Sequence, residues 1–125
     1  MRTRVLTVLL LLGATAAPIA ADARSDAKKQ VEFGITVAQR GLWREAIYRW
    51  ERAAQIDPKY AEAYNDLAIA YEHEGDLEKA RVAYEKALEL EPNNALIKQN
   101  YELFKEINDR TTRKDTQDDP GNQNP

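Results

Sequence analysis

The chain has 125 residues, with 18 basic and 21 acidic side chains, one histidine and no cysteine. A chain of this length holds one modest domain. Because cysteine is absent, we expect neither a disulfide framework nor a lipid-modified amino terminus. The net charge of −3 is mildly acidic, and no basic cluster stands in the middle of the chain, which argues against nucleic acid as a partner.

The amino-terminal segment, 1–23, differs in composition from the rest. Two arginines within the first four positions precede an almost wholly apolar run at 5–12, and small residues follow as far as Ala21-Asp22-Ala23. This order is typical of a cleavable secretory signal, and Ala23 is the preferred last residue removed, with Ala21 as the alternative. We therefore assign residues 1–23 to a signal peptide.

A membrane anchor is the competing interpretation of this segment. An anchor needs about 20 continuous apolar residues, whereas this run is interrupted by Gly13, Thr15 and Pro18. Cleavage removes two arginines and one aspartate and leaves 16 basic and 20 acidic residues, a net charge of −4. The sequence thus predicts a soluble protein secreted across the inner membrane, periplasmic or extracellular, with no stable membrane insertion after cleavage.

Two helices are predicted next, from apolar spacing and from the residues that end each run. Ser25 or Asp26 can cap the first helix, which ends at Gly41 because glycine permits the left-handed turn that stops a helix. The second helix starts at Leu42 or Trp43 and has apolar residues at intervals of three and four. It ends at Asp57-Pro58, since proline disfavours helical geometry in the preceding residue.

The same pattern then repeats and is followed by a half unit. Helices are predicted at Ala61–Glu74 and Leu77–Leu90, with Asp76 as the cap of the latter. A fifth helix occupies 95–109 and has no second helix after it. Residues 110–125 contain no large apolar side chain, so they cannot offset the entropy of ordering and are predicted to be a disordered tail.

An internal repeat underlies these elements. Five residues of the first unit recur in the second at a constant offset of 34 positions. They are Gly41, Ala46, Trp50, Ala53 and Pro58, which recur as Gly75, Ala80, Tyr84, Ala87 and Pro92. A period of this length indicates stacked helical hairpins, which bury their apolar faces against one another and form an extended binding surface.

The second copy resembles the tetratricopeptide repeat (TPR). The resemblance is carried by Tyr64, Leu67, Ala68, Tyr71, Ala80, Tyr84, Ala87 and Pro92. The first copy keeps Phe33, Gly34, Ala46, Trp50, Ala53 and Pro58, but has Gln30 and Val37 where aromatic residues are usual. The implied fold is all-α, an α-solenoid of two TPR helix-turn-helix repeats (27–60 and 61–94) and a C-terminal capping helix (95–109), within a domain at 25–109.

Small and aromatic residues have separate roles in the predicted packing. Small side chains allow the two helices of a hairpin to approach closely, whereas large side chains fill the space between successive hairpins. The predicted small set is Gly34, Ala46, Ala53, Ala68, Ala80 and Ala87, and the predicted filling set is Phe33, Trp50, Leu67, Tyr71 and Tyr84.

The resemblance implies a concave peptide-binding groove formed mainly by the first helix of each pair. The implied lining residues are Lys28, Val31, Glu32, Ile35, Gln39, Glu62, Asn65, Asp66, Ile69, His73, Gln99, Asn100 and Leu103. Among these, an apolar floor is predicted from Val31, Ile35, Ile69 and Leu103, an acidic rim from Glu32, Glu62, Asp66 and also Glu72, and backbone-binding amides from Asn65 and Asn100. The mixture favours a partner protein or peptide segment that is basic and apolar.

Other modes of action fit the sequence less well. Family members that grip a terminal carboxylate do so with basic groups, and here Val31, Ile35 and Asp66 occupy those positions. His73 has no visible catalytic partner, so we predict no enzyme activity, no catalytic residue, no metal site and no cofactor.

Two functions follow as predictions from the sequence. The first is an exported interaction module, an adaptor or assembly factor in the cell envelope. The alternative is a structural subunit that forms a homo-oligomer, because the fifth helix is apolar on two flanks and needs only one to cover its neighbour. The flanks are Ile97, Tyr101 and Phe104 on one side, and Leu96, Leu103 and Ile107 on the other.

Overall fold

The computed structural model describes residues 17–117 of the chain, and its side chains from 21 to 114. The described residues form five helices and no strand. The helices are α1 (Ala17–Ala38), α2 (Trp43–Ile56), α3 (Ala61–Glu74), α4 (Leu77–Leu90) and α5 (Ala95–Gln117). The predicted all-α fold is confirmed.

The helices stack in chain order. α1 packs against α2 and α3 against α4, so each repeat is a helical hairpin, and α2 packs against α3 to join the two hairpins. α5 then packs against α4 at the end of the stack. The first helices of the units, α1, α3 and α5, consequently lie side by side.

Local signals set the ends of the inner helices at the predicted places. Gly41 and Gly75 both have φ of 79°, a left-handed conformation that is strained for other residues, and each ends the first helix of a hairpin. The Asp76 side chain accepts a hydrogen bond from the Lys79 backbone N–H at 3.2 Å and caps α4.

The first hairpin is held together by a tryptophan that packs on a glycine. Nε1 of Trp50 donates to the Val31 carbonyl oxygen at 3.1 Å, and the Trp50 side chain is only 3% exposed. A Cβ atom built on Gly34 would lie 2.7 Å from two carbon atoms of this ring, too close for any side chain. The main core continues from here through the stack. Its buried residues include Ala27, Val37, Ala46, Ala53, Ala63, Leu67, Ala68, Ala80, Tyr84 and Phe104.

The two outer helices are longer than predicted. α1 begins at Ala17 rather than at a Ser25 or Asp26 cap, because a proline is tolerated in the first turn of a helix and no breaker follows it. α5 continues through 110–117, past the predicted end at 109. Arg110 pairs there with Glu106, and threonine hydroxyls donate to backbone carbonyls one turn earlier. Extending an existing helix costs far less than starting one. Residues 118–125 of the predicted tail lie outside the described residues.

The predicted signal boundary falls within α1. Residues 1–16, most of that segment, lie outside the described residues, so the signal peptide stays a prediction. Arg24, the first residue after the boundary, pairs with Asp57 and lies 4.7 Å over the Tyr60 ring centroid. Burial raises the pKa of Asp57, but hydrogen bonds from Arg24 and Lys59 outweigh it and keep that pKa below its usual value. Arg24 therefore ties α1 to the turn between α2 and α3.

Candidate peptide-binding groove

A row of exposed apolar residues follows the repeat across the first helices. Ile35 on α1, Ile69 on α3 and Leu103 on α5 recur at the repeat period and are 38%, 37% and 55% exposed. Equivalent positions of adjacent units face the same way in a stacked repeat. These three side chains therefore form an apolar row along the α1–α3–α5 face, hereafter the groove.

The groove contains a cleft of about 300 Å³ between α1 and α3. Ile35, Gln39, Asp66 and Ile69, all predicted groove residues, line it together. Ala38, Trp43 and Trp50 complete the lining and were not predicted to belong to it. The sequence predicted that α2 starts near Trp43, but not that this residue lies at the cleft. Its position there depends on the packing of α2 against α1 and α3.

Asp66 is the one ionisable side chain that lines this cleft. Its Oδ1 accepts a long hydrogen bond of 3.4 Å from the Asn65 side chain. Its Oδ2 is buried and has no hydrogen-bond partner within the described part of the chain. Burial and the nearby charge of Glu62 raise the pKa of Asp66 to about 7, against the lowering effect of the Asn65 hydrogen bond.

Two predicted groove amides bind each other instead of standing free. Nδ2 of Asn100 donates to Oδ1 of Asn65 at 3.0 Å, and the Asn65 side chain is 5% exposed. The pair joins α3 to α5 within the stack. Both residues were predicted to bind a peptide backbone. For the Asn65 oxygen this prediction is wrong, because Asn100 on α5 already donates to it.

Val31 is also misplaced in the predicted groove floor. Its side chain is 2% exposed and belongs to the core. The α2 helix covers this position, and the Val31 carbonyl accepts from Trp50 on that side. The apolar floor of the groove therefore consists of Ile35, Ile69 and Leu103 alone among the predicted set.

The predicted acidic rim divides into free and engaged carboxylates. Glu32 is exposed, whereas Glu62 accepts a hydrogen bond from the Tyr60 hydroxyl and half-buried Glu72 accepts one from Tyr84. The first bond lies at the start of α3, and the second joins α4 to α3. Among the four predicted rim carboxylates, Glu32 and Asp66 are the two that accept no tyrosine hydrogen bond.

His73 does not line the cleft but contacts Trp43, which does. Its ring stacks on Trp43 with centroids 4.0 Å apart and planes at 21°, while the residue stays exposed. The contact joins the end of α3 to the start of α2. Lys28 on α1 and Gln99 on α5 are exposed, as expected for the outer parts of the groove.

A second, polar cleft of about 400 Å³ adjoins the first near the starts of α3 and α5. Asp66 lines both clefts, and Glu62 and Asn65 also line the polar one. Arg24, Lys59 and Glu91 contribute charges of both signs to its wall. The groove is therefore apolar near Ile35 and Ile69, and charged where this second cleft opens near the start of α3.

One aromatic of the predicted packing set lies outside the core. Phe33 is 47% exposed, and the Arg49 guanidinium lies 4.3 Å from its ring centroid. Within the described residues no hairpin precedes α1, so this position has nothing to fill. Trp50, Leu67 and Tyr84 are buried as predicted, and half-buried Tyr71 donates its hydroxyl to Glu51 at 2.9 Å.

The described residues offer little for other kinds of site. Between 17 and 117, no three histidine, cysteine or acidic side chains come close enough together to hold a metal ion. None of the five helices described is both long and apolar enough to cross a membrane.

Family models agree with this architecture. A tetratricopeptide repeat model matches residues 61–94, which are α3, α4 and the turn after them. A second TPR repeat model matches residues 37–75, from the end of α1 through α3. The chain is a tetratricopeptide repeat protein. Repeats of this family are protein-interaction scaffolds rather than catalysts.

Three relatives of this TPR protein come from different organisms, and each is longer than this chain. Small glutamine-rich tetratricopeptide repeat-containing protein 2 of Mycosarcoma maydis is 35% identical over 69 residues, 55% of this chain and 20% of the relative. Type IV pilus assembly protein PilF of Pseudomonas aeruginosa is 32% identical over 74 residues, 59% of this chain and 29% of the relative. Chloroplastic PYG7 of Arabidopsis thaliana, a tetratricopeptide repeat domain-containing protein, is 29% identical over 74 residues, 59% and 25% of the two chains. The chain thus spans less than a third of each of these relatives.

Proposed function

We propose that this TPR protein is an exported adaptor or assembly factor that binds an apolar and basic segment of another protein in its groove. The observation that carries the proposal is the row of Ile35, Ile69 and Leu103, which leaves apolar surface open along three adjacent helices. Exposed apolar surface that lies in a groove with polar residues at its edge is typical of a protein-binding site.

Charge supports a basic partner. Asp66 and Glu32 are the predicted rim carboxylates that accept no tyrosine hydrogen bond, and Lys28 is the basic residue of the groove on α1. A segment with apolar side chains at intervals and a cationic group between them would match this distribution.

Export to the cell envelope is supported by the segment 1–23, with its arginines, apolar run and Ala21-Asp22-Ala23. A similar protein, PilF, is named for type IV pilus assembly. Expression of the full chain in a Gram-negative bacterium tests the point. Mass spectrometry of the periplasmic fraction should find a chain that begins at Arg24, and a purely cytoplasmic, unprocessed chain would refute export.

Site-specific photo-crosslinking tests the groove. A photoreactive residue placed at position 35 or 69 should crosslink the full-length chain to a discrete envelope protein. The matched control positions are Tyr48 and Val82, also one repeat period apart, which are 52% and 55% exposed on α2 and α4.

The Ile35→Glu and Ile69→Glu pair should abolish co-purification of that protein, whereas Tyr48→Glu and Val82→Glu should not. Equal crosslinking from both pairs of positions would refute a groove-specific partner.

Self-association is a second candidate, favoured by one observation. Leu96, Leu103 and Ile107 form a flank of α5 that is 61%, 55% and 53% exposed. Such a flank could pair with the same flank of a second copy. Analytical ultracentrifugation tests this candidate. A dimer that the pair Leu96→Glu and Ile107→Glu dissociates supports self-association, and a chain that stays monomeric at about 100 micromolar refutes any dimer with a dissociation constant below that concentration.

A further inference from the structure

The cleft between α1 and α3 has one charge and otherwise uncharged walls. Its lining consists of Ile35, Ala38, Gln39, Trp43, Trp50, Asp66 and Ile69. A carboxylate next to apolar surface is costly unless a hydrogen-bond donor or a cation pairs with it. The chemistry of the cleft therefore depends on what pairs with Asp66.

The protein itself leaves this carboxylate incompletely paired. Oδ1 of Asp66 has only the long contact with Asn65, and buried Oδ2 accepts from no group of the described chain. Glu62 lies one turn earlier on α3 and adds a like charge. Buried acceptors in folded proteins nearly always have a donor, so an acceptor without one beside an open cleft points to a donor that comes with a ligand.

We propose that this cleft is the anchor subsite of the groove and takes one lysine side chain of the bound segment. The inference rests on the proposed function, because it specifies one residue of the segment that the groove binds. The lysine ammonium donates to Asp66, and its four-carbon stem lies against Ile35 and Ile69. Pairing replaces the missing donor and compensates the buried charge in one contact.

Lysine fits this subsite better than arginine. An arginine binds a carboxylate best through two parallel hydrogen bonds, one to each oxygen. Because Oδ1 already contacts Asn65 and Oδ2 is buried, Asp66 does not present two free oxygens side by side to a ligand. A compact ammonium needs only one oxygen, and a volume of about 300 Å³ accommodates its slender stem between the walls.

The subsite makes binding depend on pH. Only ionised Asp66 can pair with the ammonium, and its pKa of about 7 in the free chain means that it is largely protonated at pH 6. The ammonium lowers the Asp66 pKa in the complex, so binding at pH 6 releases a proton and is weaker than binding at pH 8. Affinity therefore rises with pH and levels off above the free pKa.

The charged surroundings of Asp66 come from two sides. Glu62 lies on the same helix, and Arg24, Lys59 and Glu91 line the adjoining polar cleft. The α1 and α2 residues that line the anchor subsite are uncharged. Within the cleft itself, the ligand thus meets Asp66 as the sole charge.

Fluorescence anisotropy with the full-length chain and defined peptides tests the inference. The probes are acetylated and amidated dodecapeptides with two leucines, in which each position between the leucines is in turn lysine, arginine, norleucine or glutamate. At pH 8 the best lysine peptide should bind about tenfold or more tightly than its norleucine counterpart, with arginine between them. At pH 6 this advantage should shrink severalfold.

Two variants separate the subsite from the groove. Asp66→Asn should remove both the lysine preference and its pH dependence. Asp109→Asn is the matched control, because it makes the same change at an exposed aspartate on α5 that lines neither cleft. It should leave the preference intact.

The outcomes distinguish the two proposals. In one outcome the leucine peptides bind, Ile69→Glu prevents that binding, and lysine and norleucine peptides bind equally at both pH values. This outcome refutes the anchor subsite and leaves the groove standing. If no peptide of the panel binds, both are refuted. Carbon-13 NMR of the Asp66 carboxyl in the unmodified chain gives an independent test: the lysine peptide should lower the titration midpoint by about one pH unit or more, and an unchanged midpoint overturns the inference.

Discussion

The first helices of the two repeats, α1 and α3, occupy equivalent places in their hairpins but differ in burial. Phe33 on α1 is 47% exposed, whereas Leu67, at the equivalent position on α3, is 5% exposed. Glu32 is exposed, while the equivalent Asp66 lines two clefts and has a buried oxygen. α3 contacts helices before and after it, but α1 contacts only later ones among the described elements. In a stacked repeat, neighbours rather than a helix's own pattern decide what is buried.

This comparison predicts unequal effects at Leu67 and Phe33. Leu67→Ala should lower the free energy of unfolding by about 2–5 kcal/mol, because it removes buried apolar surface and leaves a cavity. Phe33→Ala should cost about 0.5–1 kcal/mol, since the ring is half exposed and loses mainly its contact with Arg49. Urea denaturation measures both. Similar losses for the two variants would contradict the comparison.

A second difference concerns how each hairpin closes. The first pairs Gly34 with Trp50, and the second has Ala68 and Tyr84 at the equivalent positions. Gly34→Ala should destabilise the fold by about 1–3 kcal/mol, because the new Cβ overlaps the Trp50 ring. Adding Trp50→Tyr, which recreates the pair of the second hairpin, should recover part of that loss. Strictly additive losses in the thermal or urea midpoints would show that the two residues do not share this contact.

The amide bond between α3 and α5 has no counterpart between α1 and α3, where Val31 and Asp66 occupy the equivalent positions. Asn100→Ala should cost about 1–3 kcal/mol, because it leaves the buried Asn65 oxygen without a donor. Gln99→Ala, one residue earlier and exposed, should change stability by less than about 0.5 kcal/mol. Chemical denaturation of both variants is the test, and equal values would argue against the interhelix bond.

The smallest expected effect concerns the pH dependence of stability through Asp66. Its pKa is raised in the folded state, so the folded chain holds a proton that the unfolded chain has lost between about pH 4 and 7. Stability from this group therefore falls as pH rises through that window. Relative to Asp66→Asn, the unmodified chain should lose about 1 kcal/mol between pH 6 and 7. Identical pH profiles of the two urea midpoints would show that Asp66 is not buried in solution.

Prediction from sequence succeeded best where structure is local. The ends of α3 and α4 and the Asp76 cap were predicted residue by residue, because glycine, proline and capping side chains act within one turn. The outer ends failed, since α1 and α5 continue where no breaker intervenes. Four of the predicted groove residues meet in one cleft, Val31 does not, and Trp43 was missed.

The sequence alone determined the helical repeat, its period of 34 and the small residues at its close contacts, because spacing and punctuation are properties of the chain itself. Tertiary structure alone decided that Val31 and Asn65 are buried, that Phe33 is not, and that Asp66 faces a cleft without a donor. The physical reason is that burial and pairing depend on which neighbouring helix covers a position. That neighbour lies about one repeat away in sequence and is invisible to local pattern.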